Sequence, residues 1–157
     1  LYGVRTELLR TEDISLHDSG TETLREKKAS DLHNRVARIE SVENATLISI
    51  HQNTYPSAKY RGAQVFYANS ETSLPLAQAA QDALRLVDPD NTRKPAKISE
   101  SVYLMNHITC RAILVECGFL SNPEEDLLLQ SPAYQLKLAG ALCGAYLQYQ
   151  ASQQGVL

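Results

Sequence analysis

Two short apolar runs, each ending at a polar side chain, constrain the fold of this chain most. Residues 45–50 are rich in β-branched side chains and lead directly into His51, and residues 111–116 (RAILVE) end in Glu116. A short apolar run bounded by polar residues is typical of a strand that is covered on both faces. We therefore expect two buried strands of one sheet that end at His51 and Glu116.

Helical and strand patterns alternate along the rest of the chain. Residues 24–44 repeat apolar side chains at intervals of three and four, and Ser73 and Pro75 mark the start of a second helix. The predicted strands cover residues 4–10, 45–50, 63–68 and 111–116, and the predicted helices cover residues 24–44, 73–86, 123–129 and 133–150. In the last helix we expect Leu136, Ala139, Leu142, Cys143 and Tyr146 to face inwards. This order predicts an α/β fold, with a twisted, mostly parallel sheet and helices on both faces.

The composition is that of a globular domain. The chain has 157 residues, of which 43% are hydrophobic and 21% are charged, so residues 1–157 are expected to form one domain. The net charge of -3 gives no basic patch of the kind that binds nucleic acid, and no apolar run is long enough to span a membrane. The three cysteines lack the paired spacing of a disulfide framework or a zinc ribbon.

The combination of His51 and Glu116 at one edge of an α/β sheet suits a zinc hydrolase. Ligands bind at the carboxyl edge of such sheets. A neutral imidazole is a zinc ligand, and a carboxylate that does not bind the ion takes a proton from the metal-bound water. Each residue also has a plain structural interpretation, as a hydrogen-bonded histidine and as the first solvated residue after a buried strand. The two residues by themselves leave both interpretations open.

Longer motifs around these residues resemble a known family. They are LISIHQN at residues 47–53, RGAQVFY at residues 61–67 and LVECGFLSNP at residues 114–123. Together they resemble the zinc-dependent N-acetylmuramoyl-L-alanine amidases. The helix start REKK at residues 25–28, with the residues just after it and the RGAQ strand, is similar to the germination-specific branch, which acts on spore-cortex peptidoglycan. The resemblance runs from about Val4 to the last helix.

The resemblance implies an activity and roles for the two residues. Members of this family hydrolyse the amide between N-acetylmuramic acid and the L-alanine of the stem peptide, with one zinc ion held by two histidines and a glutamate. His51 matches the second zinc histidine, and Glu116 matches the catalytic glutamate that does not bind the ion. Peptidoglycan is the implied partner, and the implied location is extracytoplasmic, in the cell wall or the spore intermembrane space. Whether an activator protein is also needed stays open.

The resemblance also implies that part of the family fold lies outside this sequence. In the family, the first zinc histidine and the ligand glutamate both precede the strand that corresponds to residues 4–10. We therefore expect the remaining ligands upstream of Leu1, in a strand and a helix that this chain lacks. Because a catalytic zinc takes three protein ligands, this chain is expected to bind zinc weakly and to show little or no activity by itself.

Four further residues near the two strand ends have alternative interpretations. Gln52 and Asn53 either orient His51 or the substrate through hydrogen bonds or simply shape the turn. Arg61 either contacts the sugar or a peptide carboxylate or is a solvated loop charge. Cys117 is expected to point away from its neighbour in the strand and to pack in the core, because successive side chains of a strand alternate between faces.

Two alternatives to the amidase remain open. A metal-free relative would bind peptidoglycan or a protein partner through the same groove without hydrolysing it. A zinc peptidase on the same kind of sheet would cleave between stem amino acids instead.

Overall fold

The computed structural model describes residues 3–69 and 71–155. Leu1, and the segment expected before it, lie outside the described residues. The helices and strands, in chain order, are α1 (Leu24–Glu40), β1 (Thr46–Asn53), β2 (Gln64–Tyr67), α2 (Leu74–Val87), β3 (Ala96–Lys97), α3 (Tyr103–His107), β4 (Arg111–Phe119), α4 (Pro123–Leu129) and α5 (Pro132–Gln153). In this part of the chain no helix is both long and apolar enough to cross a membrane.

The four strands form one open sheet in the order β1-β4-β2-β3. β2 pairs in parallel with β3, and it pairs in antiparallel orientation with β4, where Gln64 lies opposite Glu116. The predicted α/β class is confirmed, and the sheet is mixed because of this antiparallel pair. β4 continues through Phe119, three residues beyond the predicted end, so Glu116 lies within the strand.

The chain divides into two compact units. The first runs to Thr46 and includes Glu100–Cys110, and the second contains Leu47–Ser99 and Arg111–Leu157. That residues 1–157 form a single domain stays a prediction.

In the first unit, the strand predicted over residues 4–10 is wrong. This segment is an irregular stretch in which Val4 and Leu8 are exposed. Its carbonyl groups bind a side chain instead of a neighbouring strand, because Arg38 of α1 donates to the carbonyls of Leu9 at 3.0 Å and Leu8 at 3.2 Å. A strand needs a partner edge, which a local pattern of apolar residues does not supply.

Helix α1 begins where predicted and ends earlier, at Glu40 instead of near residue 44. Thr23 caps it, and Glu26 completes a capping box. Part of its polar side is occupied, because Asp31 accepts the N–H of Leu16 at 2.7 Å and forms an ion pair with Arg35 at 2.7 Å. The polar side of α1 therefore fixes the preceding loop.

In the second unit, α2 and α5 pack on the face of the sheet that carries Val65, Ile113, Val115 and Cys117. The buried residues of the two helices are Leu76, Ala77, Ala80, Leu84, Leu138, Leu142, Ala145 and Tyr149. The predicted inner face of α5 is therefore partly wrong, since Leu136 is 73% exposed and Ala139 and Cys143 are also exposed. Apolar residues surround much of this helix, so their spacing did not single out the stripe that the sheet and α2 cover.

The expectation that β1 is covered on both faces is also wrong. Every described residue of β1 is at most partly buried, and Ile50 is 57% exposed. β1 is the end strand of the sheet, with β4 as its neighbour on one side. An apolar run indicates that a strand is suited to burial, whereas the position of the strand in the sheet decides whether the strand is buried.

Gln81 of α2 is fully buried and completes the hydrogen bonding at the start of β2. Its Oε1 accepts the N–H of Val65 at 2.9 Å, and its Nε2 donates to the carbonyl of Ala63 at 3.0 Å. Because a buried backbone N–H without an acceptor is costly, this amide is a part of the core rather than an interruption of it.

We expect Gln81→Met to lower the free energy of unfolding by about 1–3 kcal/mol, because the N–H of Val65 loses its acceptor inside the core. Urea denaturation measures the change. The matched control is Gln78→Met, one turn earlier on the exposed side of α2, with an expected change within about 0.5 kcal/mol. Equal losses in the two variants would show that the buried hydrogen bond does not stabilise β2.

Candidate active site

The carboxyl ends of β1 and β4 lie side by side. The N–H of Leu120, directly after β4, donates to the carbonyl of Asn53, the last residue of β1, at 2.8 Å. The start of β2 reaches the same edge, because Gln64 is the cross-strand partner of Glu116. Three strands therefore bring side chains to one edge of the sheet, where sequence reasoning expected His51 and Glu116.

Glu116 is half-buried and poorly satisfied. Its Oε2 is buried and has no hydrogen-bond partner among the described residues. Burial raises the pKa of this carboxyl, and the nearby charge of His51 opposes that rise. A carboxylate is seldom held in such surroundings for stability alone, so Glu116 stays the candidate for the general acid and base.

His51 is exposed and lies within β1, two residues before its end. Its Nε2 is 3.0 Å from the Oγ of Ser49, the next residue on the same face of the strand. The charge of His51 acts on the carboxyl of Glu116, and the carboxyl ends of their two strands lie side by side. The structure thus brings together the two residues that the sequence selected.

These residues do not make a complete zinc site. Within the described ranges, no three His, Cys, Asp or Glu side chains are grouped so that they could hold a metal ion. The histidines at positions 17, 33 and 107 belong to the first unit. Since a catalytic zinc takes three protein ligands, the residues present supply one imidazole and fall short of the set.

The other three candidates, Gln52, Asn53 and Arg61, lie at or near the surface. The Oδ1 of Asn53 accepts the N–H of Thr54 at 2.8 Å, as in a turn. Gln52 is exposed, and the Nη2 of Arg61 lies 3.8 Å from the Oδ2 of Asp88. Contacts of Gln52, Asn53 and Arg61 with a substrate stay predictions.

Cys117 points into the core, as the alternation along β4 predicted. It belongs to the buried cluster between the sheet and the helices α2 and α5. Burial raises the pKa of its thiol to about 11, and the neighbouring charge of Glu116 adds to the rise. The thiol therefore stays protonated at neutral pH and packs as an apolar group.

Sequence reasoning missed Glu125, which fixes this edge of the sheet. This glutamate of α4 is buried, and its Oε2 accepts the N–H of Phe119 at 2.9 Å while its Oε1 accepts the N–H of Gly62 at 2.9 Å. It thereby joins the end of β4 to the loop before β2. The only local signal was an acidic residue in the first turn of a helix that begins at Pro123, and such residues are usually solvated.

We expect Glu125→Gln to lower the free energy of unfolding by about 1–3 kcal/mol, because the new amide nitrogen faces a backbone N–H that needs an acceptor. Urea denaturation measures the loss. The adjacent Glu124 is exposed, so Glu124→Gln is the control, with an expected change within about 0.5 kcal/mol. If Glu125→Gln is as stable as the control, the carboxylate does not hold the two segments together.

We expect Glu116→Gln to raise Tm at pH 7 by about 2 °C, because a neutral amide avoids the burial of a charge. In a domain of this size, a change of 1 kcal/mol in the free energy of unfolding shifts Tm by roughly 2–4 °C. The raised pKa means that the folded protein binds more protons than the unfolded chain as the pH rises from the usual glutamate pKa to the raised one. Stability conferred by the protonated carboxyl is therefore lost across that window.

Thermal melts in a chelating buffer, from below pH 4 to pH 7, measure this effect. The gain of Glu116→Gln should vanish at the acid end, where the carboxyl of Glu116 is also neutral, while Glu124→Gln should show no such gain at any pH. A lower Tm for Glu116→Gln at pH 7 would mean that the carboxylate is stabilised by contacts rather than destabilised by burial.

Known proteins resemble this chain in sequence and in fold. Residues 2–147 match the family model for N-acetylmuramoyl-L-alanine amidase. A germination-specific N-acetylmuramoyl-L-alanine amidase of Bacillus subtilis (strain 168) is 40% identical over 151 residues, which are 94% of this chain and 62% of that protein. The chain thus spans under two thirds of the length of this curated relative.

Solved structures agree with these matches. The CwlD amidase from Clostridioides difficile, solved in complex with the GerS lipoprotein, superimposes with a TM-score of 0.86 at 34% identity, over 91% of this chain and 74% of that one. An N-acetylmuramoyl-L-alanine amidase from Clostridium difficile 630 gives a TM-score of 0.69 at 26% identity, over 77% of this chain and 66% of that one. The chain belongs to the N-acetylmuramoyl-L-alanine amidase family.

Proposed function

We propose that this protein hydrolyses the amide bond between N-acetylmuramic acid and L-alanine in peptidoglycan, in spore-cortex maturation or cell-wall remodelling. The observation that carries the proposal is the half-buried carboxyl of Glu116 near His51 at the carboxyl edge of the sheet, whose Oε2 has no hydrogen-bond partner among the described residues. Membership of the amidase family and the 40% identity to a germination-specific amidase support the choice of substrate.

Glu116 is the general base and acid of this proposal. Its carboxylate takes a proton from the water that attacks the amide carbonyl, and the protonated form then gives that proton to the departing amine of L-alanine. Both transfers need a carboxyl whose pKa lies closer to neutral than usual, and burial supplies that shift. No side chain or backbone group among the described residues holds the Oε2 of Glu116 by a hydrogen bond, so the carboxyl is not committed to a structural contact there.

Zinc is the proposed cofactor, and His51 is one of its ligands. The exposed imidazole near the end of β1 suits a metal ligand, but a catalytic zinc takes three protein ligands and His51 supplies one of them. We therefore propose that the remaining ligands lie upstream of Leu1, and the coverage of 62% of the curated relative is consistent with a further segment in such proteins.

The proposed partners and location follow the relatives. Peptidoglycan is the substrate, and the proposed location is extracytoplasmic, in the cell wall or the spore intermembrane space. The relative of known structure was solved with a lipoprotein bound, which supports a protein activator for this chain as well.

One observation favours a second function. Since the described residues do not complete a zinc site, a metal-free relative would bind peptidoglycan through the same edge of the sheet without cleaving it. If this second function is correct, the protein keeps its affinity for peptidoglycan when a metal chelator is present and releases no stem peptide.

We expect Glu116→Gln to lower kcat by about 10²–10⁴-fold on purified peptidoglycan with added zinc, because it removes the proton carrier. The assay uses the protein together with any native residues that precede Leu1. Mass spectrometry should identify stem peptides with a free amino group on L-alanine, whereas cleavage between stem amino acids would identify a peptidase.

Glu124→Gln is the control and should keep the parental rate, since its side chain is exposed on α4. The proposal fails if Glu116→Gln releases stem peptide as fast as the parent. Binding without release in the parent protein, with zinc present, would favour the metal-free function instead.

A further inference from the structure

A second charged side chain, Arg93, is held near the Glu116 position. Gln64 of β2 is the direct cross-strand partner of Glu116, and cross-strand partners project from the same face of a sheet. The Nη1 of Arg93 donates to the Oε1 of Gln64 at 3.3 Å. Arg93 is therefore hydrogen-bonded to the residue that lies beside the proposed general base.

Arg93 is fixed by neutral groups. Its Nε donates to the carbonyl of Arg61 at 3.0 Å, and its backbone N–H donates to the Oδ1 of Asn91 at 3.0 Å. The guanidinium carbon lies 4.8 Å from the ring centroid of Phe119, which is buried at the end of β4. A planar cation that is stacked and hydrogen-bonded in this way loses little further freedom when it binds a ligand.

Gly62 makes room for this arrangement. Its φ is +93°, and a Cβ there would lie 2.8 Å from the Oδ1 of Asn91 and 3.3 Å from the Cγ of Arg93. A side chain at position 62 would force Asn91 to shift and would crowd Arg93, so the turn before β2 packs tightly against both residues.

The charge of Arg93 is not compensated. Among residues 3–69 and 71–155, no carboxylate lies within ion-pair distance of its guanidinium, whereas Arg61 and Arg85 each lie near an aspartate. The remaining guanidinium N–H groups of Arg93 have no acceptor in the same part of the chain. Arginine stays charged at all relevant pH values, and partly buried charges are normally paired.

We infer that Arg93 binds a carboxylate on the peptide part of the substrate, on the β2 side of Glu116. The guanidinium presents planar, paired N–H donors, and this geometry matches a carboxylate. The peptide stems of peptidoglycan carry free carboxylates, so the substrate of the proposed function supplies the missing counter-ion. This inference rests on that function, and it adds a specificity residue that neither transfers a proton nor binds a metal.

Binding measurements test the inference without catalysis. Isothermal titration calorimetry compares N-acetylmuramoyl-L-alanyl-D-glutamate, which has free α- and γ-carboxylates, with the same compound in which both carboxylates are carboxamides. We expect the protein to bind the carboxylate about tenfold more tightly than the carboxamide. In Arg93→Gln this preference should fall to about onefold, and in Arg93→Lys, which keeps the charge without the planar fork, it should be intermediate.

Lys94→Gln removes an adjacent, exposed positive charge and should keep the tenfold preference. Circular dichroism checks that each variant is folded. Equal affinity of the parent protein for the two compounds, or a preference that persists in folded Arg93→Gln, would overturn the inference. If Arg93→Gln does not fold, the same criterion applies to Arg93→Lys, where an unchanged preference would overturn it.

The hydrolysis assay is scored separately, so the two proposals can fail independently. A carboxylate preference that depends on Arg93, in a protein that releases no stem peptide, would support the binding role and contradict the amidase. Stem-peptide release without any preference would do the reverse.

Discussion

The alternation of side chains along β4 is the constraint on which the rest of the second unit depends. Ile113, Val115 and Cys117 enter the core against α2 and α5, and this fixes the strand and its orientation. Glu116 must then project from the opposite face, because neighbouring residues of a strand alternate. The strand cannot slip by one residue without placing a carboxylate in the core, so packing and chemistry enforce the same register.

Three charged side chains near this edge of the sheet differ in how many of their polar groups have hydrogen-bond or ion-pair partners. These differences distinguish the side chain with a structural role from those that can bind a substrate. Glu125 is buried and accepts two backbone N–H groups, so it holds segments together. Glu116 has a buried oxygen that lacks a partner among the described residues. Arg93 is fixed by neutral groups and lacks a carboxylate within that same part of the chain. Unsatisfied groups in a fixed frame are the ones that have capacity left for a substrate.

The sequence pattern predicted the start of a helix well where the residues that cap the helix are themselves part of the pattern. The helix from Leu24 starts at a capping box, the helix from Pro123 starts at a capping asparagine, and both begin where expected. The pattern failed for residues 4–10 and for the inner face of α5, because each depends on a partner that lies far away in sequence. The two residues selected for chemistry, His51 and Glu116, come together because both strands end at one edge.

The sequence by itself determined the α/β class, the alternation that separates Cys117 from Glu116, and the motifs typical of the amidase family. These follow from the order of residues, since periodicity and caps act over a few positions. The tertiary structure decided that β1 is the end strand and that β2 runs antiparallel to β4, with Gln64 opposite Glu116. It also decided that Arg93 binds Gln64 and that Glu125 joins the end of β4 to the loop before β2. Those contacts join residues dozens of positions apart, and their energies depend on burial and on cross-strand neighbours, which no local pattern contains.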